Sequence, residues 1–427
     1  MSKVKTGKYT SEAVSGFNHR TAMEEASRCL LCLDAPCSEG CPAGTNPGDF
    51  IRSIRFRNVK GAIDTIRQGN VMGATCARVC PYEKLCEEAC SRCGIDRPIE
   101  IGKLQRYAME QEKAFKMKVL KAPVKKHKEK IACIGGGPAS LACAAELAKA
   151  GYKATIFEKE AKAGGVCSYG ITASRLPQKT VDQDIAVVKG LGVKFEFGKE
   201  IGKKTTAEDL LKEGYDAVFL GTGLWRPQLP QIPGIELKNV IPAIDFLKEA
   251  RKKNGLPKVK GKSVVVIGGG DVAIDCAVSA KLSGAEKVAI WYRRTLEEAP
   301  ANMDEWHYAL SLGITVTTNM APEAVEGSRK AEYIRFTGRD KKSEARIAAD
   351  YVVFAIGQAP EDMNKISGTN ITDKGTIKAT KKGRTNVKGI FAAGDIVNGG
   401  RTVVEAVSEG KNAAAEIVSY LEKKGVK

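Results

Sequence analysis

The sequence predicts an α/β protein: a helical, cysteine-rich N-terminal segment, then two parallel strand–turn–helix folds, the second inserted into the first. Three observations predict this. Nine of the thirteen cysteines fall within the first 93 residues. From Ile131 onward, short β-branched runs alternate with glycine turns and alanine-rich helices, the texture of parallel βαβ units. Two glycine-rich strand–turn–helix units recur, at Ile131 and at Val264.

At 427 residues the chain has room for two or three domains, and 43% apolar residues can fill their cores. No apolar run is long enough for a spanning helix. Met1 to Thr10 is lysine-rich with no apolar stretch behind it, so no secretory signal is visible and a cytoplasmic protein is expected. The 68 Lys plus Arg against 50 Asp plus Glu give a net charge of +18. These cations are scattered rather than striped, which reads as a solvated basic surface and not as a face for nucleic acid or membrane. The densest run, Lys121 to Lys130, holds five lysines and His127 and reads as an exposed linker.

Residues 1–125 make the first domain. Between its cysteines it reads as helical: Asp49 to Gln68 places Phe50, Ile54, Val59, Ile63 and Ile66 at mostly helical spacing. No apolar core of ordinary size is visible there, so a bound metal is expected to organise it.

The cysteines form two groups. The first is Cys29-x2-Cys32-x4-Cys37-x3-Cys41-Pro42; the second is Cys76-x3-Cys80-Pro81-x4-Cys86-x3-Cys90, with Cys93 just after. Without an export signal, metal binding is a better reading than disulfides. Only three histidines exist (His19, His127, His307), which disfavours a histidine-based site. Structural zinc pairs two short knuckles, whereas each group here spreads four thiols over 13 or 15 residues. Two groups of four suit two [4Fe-4S] clusters, and proline directly after Cys41 and Cys80 recurs in ferredoxin-type runs. Cys133, Cys143, Cys167 and Cys276 sit singly in apolar contexts and read as core residues.

After the strand Ile131 to Ile134 comes Gly135-x-Gly137-x-x-Ser140, opening a helix over Pro138 to Ala150. This is a Rossmann-like dinucleotide-binding motif. The first glycine permits the tight turn, the second lets backbone approach a pyrophosphate, and the helix N-terminus supplies donors. Ser140 stands where Gly or Ala is usual but is still small. The next strand ends in Glu158, 23 residues after Gly135, placed to accept ribose hydroxyls. In the second unit the strand Val264 to Ile267 leads into Gly268-x-Gly270-x-x-Ala273, with Asp271 opening the helix and Asp275 on it. Its next strand, Val288 to Tyr292, ends in Arg293-Arg294 where the first unit has Glu158, and an arginine at that place suits a 2′-phosphate. The first site therefore reads as FAD or NAD, the second as NADP.

Late in the chain, Gly389-Ile-Phe-Ala-Ala-Gly394-Asp395 delivers an acid onto a turn beside a glycine. It resembles the second FAD signature of two-dinucleotide flavoproteins, whose aspartate meets the ribityl chain. Leu220-Gly-Thr-Gly223 and Ala355-Ile-Gly-Gln358 resemble the segments that cross back from each dinucleotide fold. The implied layout is an FAD domain split over 128–240 and 355–427, with an NAD(P) domain over 241–354 inserted.

The order of four cysteines, four cysteines, FAD fold and NAD(P) fold resembles the N-terminal half of dihydropyrimidine dehydrogenase and the glutamate synthase small subunit. It is most similar to the electron-transfer subunits of bacterial NAD-dependent dihydropyrimidine dehydrogenases. The matching stretches are Glu25-Ala-Ser-Arg-Cys-Leu-Leu-Cys32, Asp34-Ala-Pro-Cys37, Phe50-Ile-Arg-Ser-Ile54, Cys76-Ala-Arg-Val-Cys-Pro81, Glu83-Lys-Leu-Cys86 and Ile101-Gly-Lys-Leu-Gln105. The resemblance covers nearly the whole chain. It implies one cluster on Cys29, Cys32, Cys37 and Cys90, and another on Cys41, Cys80, Cys86 and the side chain of Gln105. Spacing alone would choose Cys76 over Gln105; with Gln105 as ligand, Cys76 and Cys93 are thiols near the clusters. It also implies that Arg175, in Arg175-Leu-Pro177, is a flavin-domain arginine, and that Thr402 and Val403 lie near the flavin ring.

The resemblance further implies that NAD(P)H is oxidised at FAD and that single electrons leave through the clusters. No protein acid or base is expected to carry the hydride step. Nothing along the chain reads as a barrel or an FMN site, so uracil or thymine reduction is expected on an FMN-containing partner, in a hetero-oligomer. A glutamate synthase large subunit, or a role as a subunit of a bifurcating ferredoxin:NADP oxidoreductase, is the alternative. The bacterial pyrimidine subunits use NADH, whereas Tyr292-Arg293-Arg294 looks like the NADPH-dependent glutamate synthase subunit.

Overall fold

The computed structural model describes residues 8–124 and 126–425. Most of the lysine-rich start and Lys125 of the linker run lie outside the described residues. As far as described, the chain divides into two compact units. One comprises Ser15–Cys167, Gln178–Leu224 and Pro360–Lys427; the other comprises Met1–Val14, Ser168–Pro177 and Trp225–Ala359.

In the first unit a five-stranded parallel sheet runs in the order Ile390–Ala392, Ala217–Leu220, Lys130–Ile134, Lys153–Glu158, Lys194–Phe197. Register sets Ile134 opposite both Phe157 and Leu220. The inner strand Ala217–Leu220 is wholly buried, as a continuous apolar run in a parallel sheet requires. Cys133 and Cys143 are buried in this unit, and Cys167 with them. The helices Pro138–Lys149 and Val403–Gly425 pack closely: any side chain at Gly410 would collide with the Ala139 carbonyl.

The N-terminal helices in the same unit do have a core of ordinary size, against the expectation that none is present. Phe50, Ile51, Ile54, Ile63, Ile66, Leu104 and Met109 are fully buried together with Tyr107. The apolar spacing failed to show it because the contributing helices, His19–Ser27, Pro47–Arg55, Val59–Gly69 and Ile101–Ala114, are short and scattered along the chain. The helix read over Asp49 to Gln68 is two helices. Arg57 adopts a left-handed φ of 60°, and the Asn58 side chain accepts from Gly61 N–H, capping a new start.

The second unit repeats the parallel design. Its sheet runs Val240–Pro242, Tyr351–Phe354, Ser263–Ile267, Lys287–Trp291, Thr315–Thr317, and it adds an antiparallel sheet of Met320–Glu326, Tyr333–Gly338 and Glu344–Ala348. Arg226–Pro227 pairs antiparallel with Gln358–Ala359, so the unit opens and closes on one short ribbon. Tyr9 and Ala173 enter its core beside Phe246, Ile274 and Trp306, which accounts for the two distant segments that join it. Among the described residues no helix is long and apolar enough to cross a membrane.

Candidate functional site

The first cysteine set converges. Cys29, Cys32, Cys37 and Cys90 line one cavity with Ile51 and Ile99 at its base. The loop after Cys29 turns through Leu31, whose φ is 56°. Arg55 donates to Cys29 O at 2.9 Å, and Arg92 donates to Arg28 O at 2.7 Å, fixing the loop from two sides. Burial pushes the Cys29 thiol up, and burial followed by repulsion from Cys90, Cys29 and Cys32 pushes Cys37 up to about 11. A cation among these sulfurs would oppose that rise at Cys29 and Cys37.

The second set gathers at the end of the Gly73–Val79 helix. A hydrogen bond with Cys76 and then burial raise the Cys80 thiol well above its ordinary value, with Cys86 and Cys41 adding repulsion. Burial does the same to Cys86, which also feels Cys37 of the first set. Thr45 N–H donates to the Cys41 sulfur at 3.4 Å. Gln105 is 8% exposed, and its amide nitrogen donates to Gly73 O at 2.8 Å, which turns the carbonyl end of the amide away from that helix bond. Cys76 is buried. Cys93 is exposed and donates to the carbonyls of Glu87 and Glu88. Among the described residues no three His, Cys, Asp or Glu close in as around a single ion. Zinc would need its sulfurs at about 2.3 Å from one centre; a cavity walled by four thiols fits a larger group, such as a multi-iron cluster.

The first glycine motif is built for close backbone approach. Gly135 has φ 89°, and a Cβ there would lie 2.7 Å from Gly221 O. The Pro138–Lys149 helix has no side-chain cap, so the first N–H groups of the helix have no capping side chain and can meet an anion. Ser140 is fully buried against Gly221, a position that only a small residue fits. Glu158 is buried and accepts from Gly136 N–H at 2.7 Å and Glu160 N–H at 2.8 Å; burial raises its carboxyl.

Asp395 comes to the same place. Gly394, with φ 79°, could carry a Cβ only 2.8 Å from that of Ala139, at the start of the Pro138–Lys149 helix. Asp395 accepts from Arg401 N–H, and burial, with Glu409 and Glu405 nearby, raises its carboxyl to about 6. Thr402 caps the helix that begins at Val403, bonding to Glu405 as a capping box. The sequence reading missed both this capping box, whose Thr402-x-x-Glu405 spacing is its signal, and Glu409, which accepts from Gly394 N–H at 2.7 Å and has no such signal.

The second motif has the same build. Gly268 has φ 149°, and a side chain there would collide with Ala355 O. The Asp271–Leu282 helix again lacks a side-chain cap. Register makes Tyr292 the counterpart of Glu158, one residue short of the expected Arg293, because Trp291 pairs with Ile267 as Phe157 pairs with Ile134; the Tyr292 ring lies on Gly269, where a Cβ would approach it to 2.6 Å. Beyond Gly270, Asp271 accepts from Asn302 N–H at 3.0 Å. Arg293 and Arg294 follow Tyr292, both exposed and with no ion-pair partner among the described residues. Arg175 stands in this unit, at 2.9 Å from Glu305, 3.6 Å from Asp275 and 3.9 Å from Asp271. Asp275 is raised by burial to about 7, and Arg175 opposes that rise.

Comparisons with known proteins agree on what this chain is similar to. Residues 129–410 match the pyridine nucleotide-disulphide oxidoreductase family, and residues 6–117 match dihydropyrimidine dehydrogenase domain II, 4Fe-4S cluster. The NAD-dependent dihydropyrimidine dehydrogenase subunit PreT of Escherichia coli O157:H7 is 43% identical over 97% of this chain and 98% of its own length. The glutamate synthase [NADPH] small chain of Escherichia coli K12 is 31% identical over 96% and 94%. Mycobacterium tuberculosis FprA in complex with NADPH shares the fold at TM-score 0.61 and 19% identity, over 70% of this chain and 86% of that one.

Proposed function

The chain belongs to the pyridine nucleotide-disulphide oxidoreductase family, in the branch that adds the 4Fe-4S domain of dihydropyrimidine dehydrogenase, and on that premise we propose that it is the electron-transfer subunit of a pyrimidine-reducing enzyme. It is an NAD(P)H-dependent flavin and iron–sulfur oxidoreductase. The single observation that carries the reading is the convergence of Cys29, Cys32, Cys37 and Cys90 on one cavity, in the same compact unit as the Gly135 and Asp395 turns. The partner on this reading is an FMN-containing chain that reduces uracil or thymine.

FAD accepts a two-electron hydride and gives electrons up singly, which is what joins nicotinamide to one-electron clusters. Everything else is positioning. The uncapped helix start after Gly137 would hold the FAD pyrophosphate, Glu158 would accept from ribose hydroxyls, and Asp395 would accept from the ribityl chain. Thr402 and Val403 would border the ring. Gly268, Gly270 and Asp271 shape the nicotinamide-dinucleotide turn. The cysteine sets would hold two clusters, with Cys41, Cys80 and Cys86 joined by the Gln105 carbonyl, whose amide nitrogen is spent on Gly73 O. No side-chain acid or base is required for hydride transfer.

Arg293 and Arg294, exposed and unpaired, favour NADPH and so support a second reading, a glutamate synthase small chain. The test is an anaerobic spectral titration of the purified protein with NADH and NADPH separately, with iron and flavin assayed. Bleaching of both flavin and a broad cluster band supports the conduit. Reduction of uracil by this chain alone, or a protein without iron, refutes it.

A further inference from the structure

The helix Val403–Gly425 starts at the Thr402 cap, within the Asp395 turn's hydrogen-bonded neighbourhood, and carries Lys411. The Lys411 ammonium reaches out of the flavin fold. It donates to Ala43 O and to Gly69 O, each at 2.6 Å. Ala43 lies two residues past Cys41, and Gly69 ends the Val59–Gly69 helix. Lys149, at the end of the Pro138–Lys149 helix, donates to Gln68 O at 3.2 Å. The last carbonyls of a helix have no partner inside it and form the negative end of its dipole, so cations are favoured there. The Cys41 turn and that helix end touch directly: a side chain at Gly69 would collide with Gly44 O and stand 2.8 Å from Thr45 Cα. Gly44 N–H donates to Cys41 O at 3.0 Å, and Thr45 N–H to the Cys41 sulfur. Sulfur, turn, helix end and flavin-fold helix therefore close into one ring, and Lys411 is the link that closes it.

We infer that Lys411 is a positioning residue for electron transfer from the flavin fold to the cluster held by Cys41. It fixes the Cys41 turn against the helix that starts beside Asp395, and its charge near the Cys41 sulfur stabilises the reduced, more negative cluster. The inference rests on Cys41, Cys80 and Cys86 being cluster ligands. Sequence carried no sign of it, because the lysine bonds to backbone more than three hundred residues away.

The test compares K411M and K411R with the parent as holoproteins. Cluster potentials are read by redox titration with electron paramagnetic resonance, transfer by rapid anaerobic mixing with NADH, and loading by iron and flavin assay. K411M is expected to lower the potential of one cluster and not the other, and to slow cluster bleaching behind flavin bleaching about tenfold. K411R is expected to restore the potential but not the rate, since a planar fork does not aim one nitrogen at two converging carbonyls. Iron lost from one cluster alone in K411M also supports the role. Parental potentials and rate in K411M, or equal shifts in both clusters, overturn it. If K411M loses both clusters, K411R decides: slowed transfer at parental potential supports the role, and a parental rate overturns it. A parent protein whose flavin bleaches with no iron present refutes the cluster reading instead.

Discussion

Arg67 Nη1 lies 2.6 Å from Asp184 Oδ1, and neither side chain touches solvent. Arg67 belongs to the Val59–Gly69 helix of the cysteine domain and Asp184 to the Gln178–Gly190 helix of the flavin fold. Glu112 takes the other edge of the guanidinium at 2.6 and 2.9 Å. Asp184 also accepts from Ala74 and Thr75 N–H at the start of the helix that carries Cys76 and leads to Cys80. Breaking such a pair leaves an uncompensated buried charge at a cost of about 3–5 kcal/mol. R67M and D184L should each lower the denaturation midpoint sharply. The double variant R67M/D184L should lose less than the sum of the two, measured by denaturant unfolding of identically loaded protein.

Gly135→Ala should destabilise the flavin fold and weaken flavin binding. The residue must hold φ 89° and keep clear of Gly221 O, strain worth about 1–3 kcal/mol that lowers the unfolding midpoint, and flavin binding should weaken by up to about tenfold as the turn shifts to relieve it. The flavin-to-protein ratio after gel filtration checks this, and iron content should stay parental.

Replacing Arg293 and Arg294 together by alanine should raise the dissociation constant for NADPH and leave that for NADH nearly unchanged. Hydrogen bonds to a charged group are worth about 1.5–3 kcal/mol, or roughly ten- to a hundredfold. Equal effects on both nucleotides would remove the two arginines from the phosphate site.

Asp395 sets a pH dependence. Its carboxyl is raised from 3.8 to about 6, chiefly by burial. The folded state therefore binds the proton more tightly than the unfolded chain. The stability this brings is full below about pH 4 and is lost as pH rises through about 6. Asparagine keeps the acceptor for Arg401 N–H without the charge. D395N, stripped of flavin, should melt higher than the stripped parent at pH 8, with the gap closing as pH falls from 6 to 4, while its flavin affinity drops. A gap independent of pH would contradict this.

Anaerobic removal of iron by a chelator should bleach the cluster band and leave the far-ultraviolet helical signal nearly unchanged. The apolar cluster around Phe50, Ile63 and Leu104 is built from side chains buried against one another. Loss of that signal in step with iron would show that the core needs the clusters.

The glycine motifs were legible because strand, turn and helix follow one another in sequence, although the carbonyls that leave no room for a Cβ at Gly135 and Gly268 come from the distant Gly221 and Ala355. Cys133 and Cys276 read as core for an equally local reason, and both are buried. What escaped was long-range or against type. Arg67 reads as a surface cation and is wholly buried. Nothing near Tyr9 or Ala173 announces that they pack in the unit centred on Val264 to Ile267. The break at Arg57 hides inside a run whose apolar spacing continues across it.

The core of the cysteine domain has a consequence for where its proposed metal ligands can be perturbed. Cys29, Cys37, Cys86 and Cys90 pack against the same apolar cluster that buries Phe50, Ile54, Ile66 and Met109. Ligands and core are thereby one body, so a change of volume at Ile54 or Met109 reaches the sulfurs without touching a cysteine.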